Sequence, residues 1–192
     1  MIRRLLKRTL LGICLMVVWP TALLTAFGRW ESAYGFFATA YALLPGLPGD
    51  YLRIAFYNLT LIECSLSSRI QFGSFFAHPQ AKVEPRVYIG SYCVLGKATI
   101  GENTQIASGV QILSGRHQHS RDESGQISGS DRGAFTEITI GHDCWIGGGA
   151  LVMADVGDGT TIGAGSVVSR AIPPGSVAVG NPARVIRTAA GA

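Results

Sequence analysis

Charge is missing from long stretches of this chain. Residues 9–28 carry no charged side chain, and residues 32–49 carry none either. Over all 192 residues only 15% are charged and 47% are apolar, which points to a folded and unusually apolar protein. Cysteine pairing is missing too: Cys14, Cys64, Cys93 and Cys144 form no CxxC pair and no metal-ligand spacing. They read as small buried residues of a reducing compartment. No small-x-small cleavage site followed by polar sequence closes the first apolar run, which disfavours a secretory signal peptide.

What charge there is near the start gathers at Arg3, Arg4, Lys7 and Arg8, directly before the first uncharged run. With a net charge of only +4, this is a cytoplasmic-side membrane flank and not a nucleic-acid stripe. A spanning helix needs about 20 apolar residues. The first run just reaches that length, although Gly12 and Pro20 interrupt it; the second is marginal and ends in Pro45, Gly46, Pro48 and Gly49. Two short runs separated only by Arg29, Trp30 and Glu31 suggest a helical hairpin or a re-entrant pair over residues 1–50, with two interfacial helices lying on the membrane as the alternative.

Beyond residue 80 the chain counts in sixes. Val94, Ile100, Ile106 and Ile112 form one run, Ile140, Ile146 and Val152 a second, and Val156, Ile162 and Val168 a third. A compact residue usually precedes the next aliphatic by two, as at Thr104, Val110, Cys144, Ala150, Thr160 and Ser166. Six is neither the period of a helix nor that of a simple alternating strand. It fits a short strand, a corner and another strand, with the aliphatic inside a narrow prism, so three hexads close one triangular coil and coils stack by parallel pairing. The expected fold is all-β, a parallel β-helix over residues 81–188 that ends in a short C-terminal helix or tail, with residues 51–80 as a connecting segment. Two register breaks stand out. Val152 to Val156 is four residues, a tightened corner near Ala154 and Asp155, and Ile112 to Ile140 is twenty-eight. The second break makes an inserted loop, 114–136, of the length that is usually functional or mobile. It opens on "ILSGRHQHS", which holds Arg116, His117 and His119.

These hexads, with "ITIGHDCWIGGGALV" at 138–152 and "IGAGSVVSRAIPPGSVAVGNPARVIR" at 162–187, resemble the hexapeptide-repeat acyltransferases. "LLPGLPGDYLRIAFYNLTL" at 43–61 resembles the segment before the repeats in the membrane-associated O-acetyltransferases of exopolysaccharide biosynthesis, of the colanic acid acetyltransferase type. The resemblance implies a left-handed β-helix, contrary to the usual right-handed crossover. It implies a homotrimer, acetyl-CoA as co-substrate in the groove between neighbouring prisms, and a histidine on the protruding loop as general base. No permanently bound cofactor and no metal are expected.

Histidine suits a base working on a sugar hydroxyl near neutral pH. His117, after the "SG" turn, is the first candidate, and His119 is its rival. Gly147, Gly148 and Gly149 would let a thioester approach the backbone, whose N–H groups could hold the oxyanion. By the same resemblance Gly148, Ala164 and Ser169 line the pantetheine arm, while Arg170, Arg184 and Arg187 meet the CoA phosphates, where guanidinium pairs suit phosphate. Trp145 reads as a cover for the outer prism face. The apolar front suggests an acceptor presented at the membrane, such as a polyprenyl-linked saccharide, on the cytoplasmic face of a bacterial inner membrane. Two other readings stand beside this one: a non-catalytic trimeric membrane scaffold in polysaccharide assembly, and a γ-type carbonic anhydrase drawing ligands from His78, His117, His119 and His142. The acceptor sugar, its hydroxyl and the acyl group are not legible in the residues.

Overall fold

The computed structural model describes residues 2–115, 123–127 and 135–188. Three helices come first: α1 (Ile2–Leu24), α2 (Glu31–Ala42) and α3 (Gly46–Thr60). The repeats then build a left-handed parallel β-helix of five coils. The first coil is β1 (Glu63–Cys64), β2 (Arg69–Ile70) and β3 (Phe75–Phe76); the second is β4 (Lys82–Val83), β5 (Tyr88–Ile89) and β6 (Val94–Leu95). The third coil is β7 (Ala98–Ile100), β8 (Gln105–Ile106) and β9 (Gln111–Ile112); the fourth is β10 (Ile138–Ile140), β11 (Trp145–Ile146) and β12 (Leu151–Val152). The fifth starts with a single bridge at Val156 and continues through β13 (Thr161–Ile162) and β14 (Val167–Val168). Prism construction thus begins at Glu63, inside the segment expected to be a connector.

Each face of the prism is one parallel sheet. Face A stacks β1, β4, β7 and β10, and Val156 and Ile172 extend it as bridges. Face B includes β2, β5, β8, β11 and β13, and face C stacks β3, β6, β9, β12 and β14. One inward residue per strand forms a column. Face A buries Cys64, Val83, Ile100, Ile140, Val156 and Ile172, face B buries Ile70, Ile89, Ile106, Ile146 and Ile162, and face C buries Phe76, Leu95, Ile112, Val152 and Val168. The aliphatic period read from the sequence steps from one column to the next around the prism, except at Val94: Leu95 takes the inward place there and Val94 is only partly buried, because the corner before Ile100 is one residue shorter.

Two of the three corners keep one length in every coil, and small side chains hold them, with a hydroxyl or thiol in most coils and Val87, Val110 and Ala150 in the others. The Ser68 hydroxyl donates to Glu84 O at 2.6 Å and accepts from Val87 N–H at 3.0 Å. Ser74 does the same with Gly90 O and Cys93 N–H, and Thr104 with Gly141 O and Cys144 N–H. Each corner hydroxyl therefore ties one coil to the next. At the corner from face C back to face A, Ala81, Ala98, Ile138 and Ala154 hold the equivalent place, and the coil-to-coil links come from other positions, Ser114 and Asp155. The length of this corner varies between coils. Val152 to Val156 is four residues and so is Val168 to Ile172, so the tightened corner near Ala154 is one of two, and the long insertion leaves from this same corner.

After Ile172 the chain forms β15 (Ser176–Val179) on face B and, past a cis Asn181–Pro182 bond, β16 (Arg184–Thr188) antiparallel to it. The segment expected as a helix or tail is thus a β-strand through Thr188. At the other end α3 lies on β1 and β2 and is flanked by α1 and α2. Arg53, fully buried, donates to Ile70 O (3.0 Å), Tyr41 O (2.7 Å), Ala42 O (3.2 Å) and Leu44 O (3.0 Å) and pairs with Asp50 at 2.8 Å. One guanidinium joins both helices to the first coil. The helix α2, 12 residues long, reaches only about 18 Å and is too short to span a bilayer. Tyr34 on it is buried and donates to Phe76 O at 3.1 Å. Over Leu5–Leu24, α1 alone among the described residues is long and apolar enough to cross a membrane.

Candidate active site

Two corners border face C, and the candidate residues collect on them. The insertion leaves the corner between faces C and A through a narrow neck. Thr136 N–H donates to Ser114 O at 3.1 Å, the Ser114 hydroxyl accepts from Lys97 N–H at 2.8 Å, and the Thr99 hydroxyl donates to Glu137. The return limb reaches down over earlier coils. Phe135 lies against the His78 ring, with centroids 5.0 Å apart, and Lys97 Nζ stands 5.6 Å over the Phe135 ring. His117 and His119 lie outside the described residues, so the structure fixes the root of their loop and not their side chains. His78 was named from sequence only as one of four histidines. Its place under the insertion depends on corner lengths that only the folded prism reveals.

The other corner of face C holds the glycine run. Gly147 is required by the fold, because a Cβ there would come 2.5 Å from Ala164 N, and Gly149 is required by its φ of +68°. Gly148 has neither reason: a Cβ on it meets nothing closer than Ser108 O at 3.4 Å. Its N–H, and that of Ala164 one coil on, have no acceptor among the described residues. Two stacked, unengaged donors are what a carbonyl or an oxyanion would use.

Arg184 opens β16 opposite Val179, and Ala183 N–H donates to Val167 O at 2.8 Å, so Arg184 stands at this same corner. Ser169 and Arg170 follow β14 on the opposite corner of face C, two coils beyond the neck of the insertion. Face C is therefore flanked by Gly148, Ala164 and Arg184 on one edge and by the loop root, Ser169 and Arg170 on the other. Arg187, opposite Val177 on face B, is the expected phosphate contact that the fold does not bring to face C. Trp145 stands on the outside of face B between Gln105 and Thr161, 59% exposed.

The third corner, between faces A and B, carries His142, named from sequence only among the four histidines, in a cluster with two aspartates that the sequence does not reveal. His142 Nδ1 lies 3.0 Å from Asp143 Oδ2 and Nε2 lies 3.1 Å from Asp158 Oδ2, while Asn103 donates to Asp143 at 2.6 Å. The hydrogen bond to Asp143, then the charge of Asp158, raise the His142 pKa above its ordinary value. Asp158 comes from the next coil, so only stacking reveals the pairing.

The cysteines are buried and unpaired. Burial, aided by Glu63, pushes the Cys64 thiol up to about 12, and burial also raises Cys93 and Cys144. None of these three is poised as a thiolate nucleophile.

Comparison with known proteins agrees with the geometry. No family model matches the chain. Escherichia coli galactoside O-acetyltransferase is 37% identical over 128 residues, covering 56% of this chain and 60% of that protein. A Schizosaccharomyces pombe protein named as an acetyltransferase is 41% identical over 91 residues, covering 46% of this chain and 42% of that protein. The chain thus spans less than two thirds of the curated relatives it matches. Among solved structures, a hexapeptide-repeat acetyltransferase from Vibrio cholerae superposes with a TM-score of 0.66 at 21% identity, covering 82% of this chain and 92% of that one. A maltose O-acetyltransferase from Clostridium difficile does so with a TM-score of 0.55 at 24% identity, covering 82% and 86%. The fold is the one these acetyltransferases share.

Proposed function

We propose that this chain is a hexapeptide-repeat O-acetyltransferase that moves an acetyl group from acetyl-CoA to a saccharide hydroxyl. The observation that carries the reading is the convergence on face C: the root of the histidine-bearing loop on one edge, two unengaged amides and Arg184 on the other. The similarity to a galactoside O-acetyltransferase supports a sugar as acceptor.

In the proposed reaction His117, with His119 as the alternative, takes the acceptor proton as the hydroxyl oxygen attacks the thioester carbonyl. A C–O bond forms, and the negative charge moves to the carbonyl oxygen beside the Gly148 N–H. The C–S bond then breaks, and the imidazolium returns its proton to the CoA sulfur. Arg170 and Arg184, which border face C, bind the CoA phosphates. A homotrimer would let the loop of one prism reach the glycine corner of its neighbour.

The acceptor is a lipid-linked exopolysaccharide precursor, and the protein works on the cytoplasmic face of a bacterial inner membrane. What supports this is α1. Leu11, Cys14 and Val18 form its buried stripe, while Leu5, Leu6, Ile13, Met16, Val17 and Leu24 remain exposed on other sides. A helix that is apolar all round is covered by protein or by lipid.

The test is release of CoA by the full-length protein in detergent, with candidate saccharides. His117→Ala is expected to slow transfer by about 10²–10⁴. Full activity in both His117→Ala and His119→Ala would remove histidine from the mechanism, and no affinity for acetyl-CoA would leave the scaffold reading in place.

A further inference from the structure

We infer that the space between α1 and α3 is a site for one phosphate-headed lipid, with its chain along an apolar groove and its head in a cationic pocket. The inference rests on the proposed lipid-linked acceptor and gives it a place.

The groove is lined by Leu6, Leu10, Val17, Leu47 and Leu52 and encloses about 460 Å³. At Lys7, Leu47 and Tyr51 it runs into a second space of about 240 Å³ with a different character, reaching Asp50, Ser67, Ser68 and Arg69. The two volumes together lie in the range of specific ligand sites and are concave, unlike a flat surface resting on a bilayer. One end is hydrocarbon and the other is polar.

Charge decides which head fits. Asp50 is the single anion lining the polar end, and it is already committed. Its Oδ1 accepts from buried Arg53, and its Oδ2 accepts from Arg69 at 2.9 and 3.1 Å and from Gln71 at 2.9 Å. Two guanidinium groups thus share one carboxylate, which leaves one positive charge over. Lys7 adds a second, since it makes no ion pair among the described residues. The Arg69 side chain is 52% exposed and available to a ligand. Arginine and lysine beside serine hydroxyls suit a phosphate, and a cationic pocket opening from a hydrocarbon groove selects an anionic lipid over a neutral one.

The site also points toward the chemistry. Tyr88, Gln105 and Trp145 stand in register above Arg69 on the outside of face B, at about 4.8 Å per rung, and Trp145 leads directly into the glycine corner. A saccharide joined to a phosphate at Arg69 would follow that row.

The experiment is binding of undecaprenyl phosphate to the purified full-length protein in detergent, with undecaprenol, inorganic phosphate and phosphatidylglycerol vesicles as comparison probes. Undecaprenyl phosphate is expected to bind at least tenfold more tightly than undecaprenol. Lys7→Glu should erase that preference, and Leu47→Glu should weaken both lipids. Both positions are exposed, so the fold is retained. Equal binding of the alcohol and the phosphate, or binding unchanged in Lys7→Glu, overturns the inference; association only with vesicles assigns the groove to the bilayer itself. Transfer to a water-soluble saccharide is measured alongside with the unaltered protein. Its absence in the unaltered protein would sink the transferase reading while leaving the lipid result standing.

Discussion

Arg53 is the residue on which the helical cap depends, and its replacement by methionine has a calculable effect. The side chain is fully buried and makes four bonds to carbonyl oxygens and one to Asp50. Methionine fills part of the volume but takes the guanidinium donors from those carbonyls and from one carboxylate oxygen, with Ala42 O and Tyr41 O keeping their bonds from the Gly73 and Leu44 amides. Removing one member of a buried ion pair costs about 3–5 kcal/mol. Orphaned carbonyls add to this, offset by local rearrangement toward water, so about 4 kcal/mol is a fair expectation. At about 1.4 kcal/mol per factor of ten, opening of the cap becomes roughly a thousandfold more frequent. The effect should be local, because each coil of a solenoid touches only its neighbours. Hydrogen exchange reads it directly. The Gly73 amide donates to Ala42 O, a carbonyl that Arg53 also serves, and should lose about three decades of protection. The Trp145 and Met153 amides, bonded to Thr160 O and Val168 O in the fourth and fifth coils, should not change. Arg53→Lys keeps the charge but cannot span four carbonyls, and it should fall between. Unaltered Gly73 protection in Arg53→Met would refute the role of Arg53 as the joint, and an equal loss at Met153 would refute the independence of cap and far coils.

Gly148→Ala should fold normally, since the new methyl meets only Ser108 O at ordinary contact distance, yet should raise the KM for acetyl-CoA or lower kcat at least tenfold by covering the free amide; wild-type kinetics in a folded Gly148→Ala protein would remove that amide from the site. His142 should titrate above its ordinary value in an NMR pH series, and Asp143→Asn should bring the midpoint down. Because the folded value is the raised one, this group favours the fold fully below the unfolded pKa of about 6.5, and the contribution is lost as pH rises through the folded pKa. A midpoint indifferent to Asp143→Asn would show that the contact does not persist in solution.

The prism was legible because its period is set by chemistry repeated in every coil. An inward aliphatic at Ile100, Ile106 and Ile112 has an equivalent at Ile140, Ile146 and Val152, and the register pairs them. The first coil was less legible. Ile70 and Phe76 keep the six-residue spacing from Cys64, but a cysteine, an isoleucine and a phenylalanine do not look like one coil until each is stacked under its own face's column. The cap was legible as apolar and illegible as architecture, since nothing local to Arg53 announces that it will be buried against Ile70 O seventeen residues on. For the site, the glycine run and the basic C-terminal residues could be named from sequence. Their division between two edges of face C, and the departure of Arg187 to face B, depend on which corner each one turns.

Corner identity also explains why the insertion lies where it does. At the two corners of constant length a hydroxyl or thiol reaches the backbone of the adjoining coil in most coils, as Thr104 reaches Gly141 O and Cys93 reaches Ala107 O at 3.2 Å, so an added residue there would break a buried bond. The corner between faces C and A has coil-to-coil links at Ser114, which accepts from Lys97 N–H, and at Asp155, which accepts from Thr139 N–H, but no side chain repeats at one place there and its length differs between coils. A chain adding a functional loop to this prism therefore has one inexpensive place to put it. Once there, the loop lies beside face C, whose far edge holds the only turn position in the glycine run that the fold leaves without a steric reason to be glycine. The location of the inserted loop thus follows from which corners the repeated coil-to-coil hydrogen bonds have already taken.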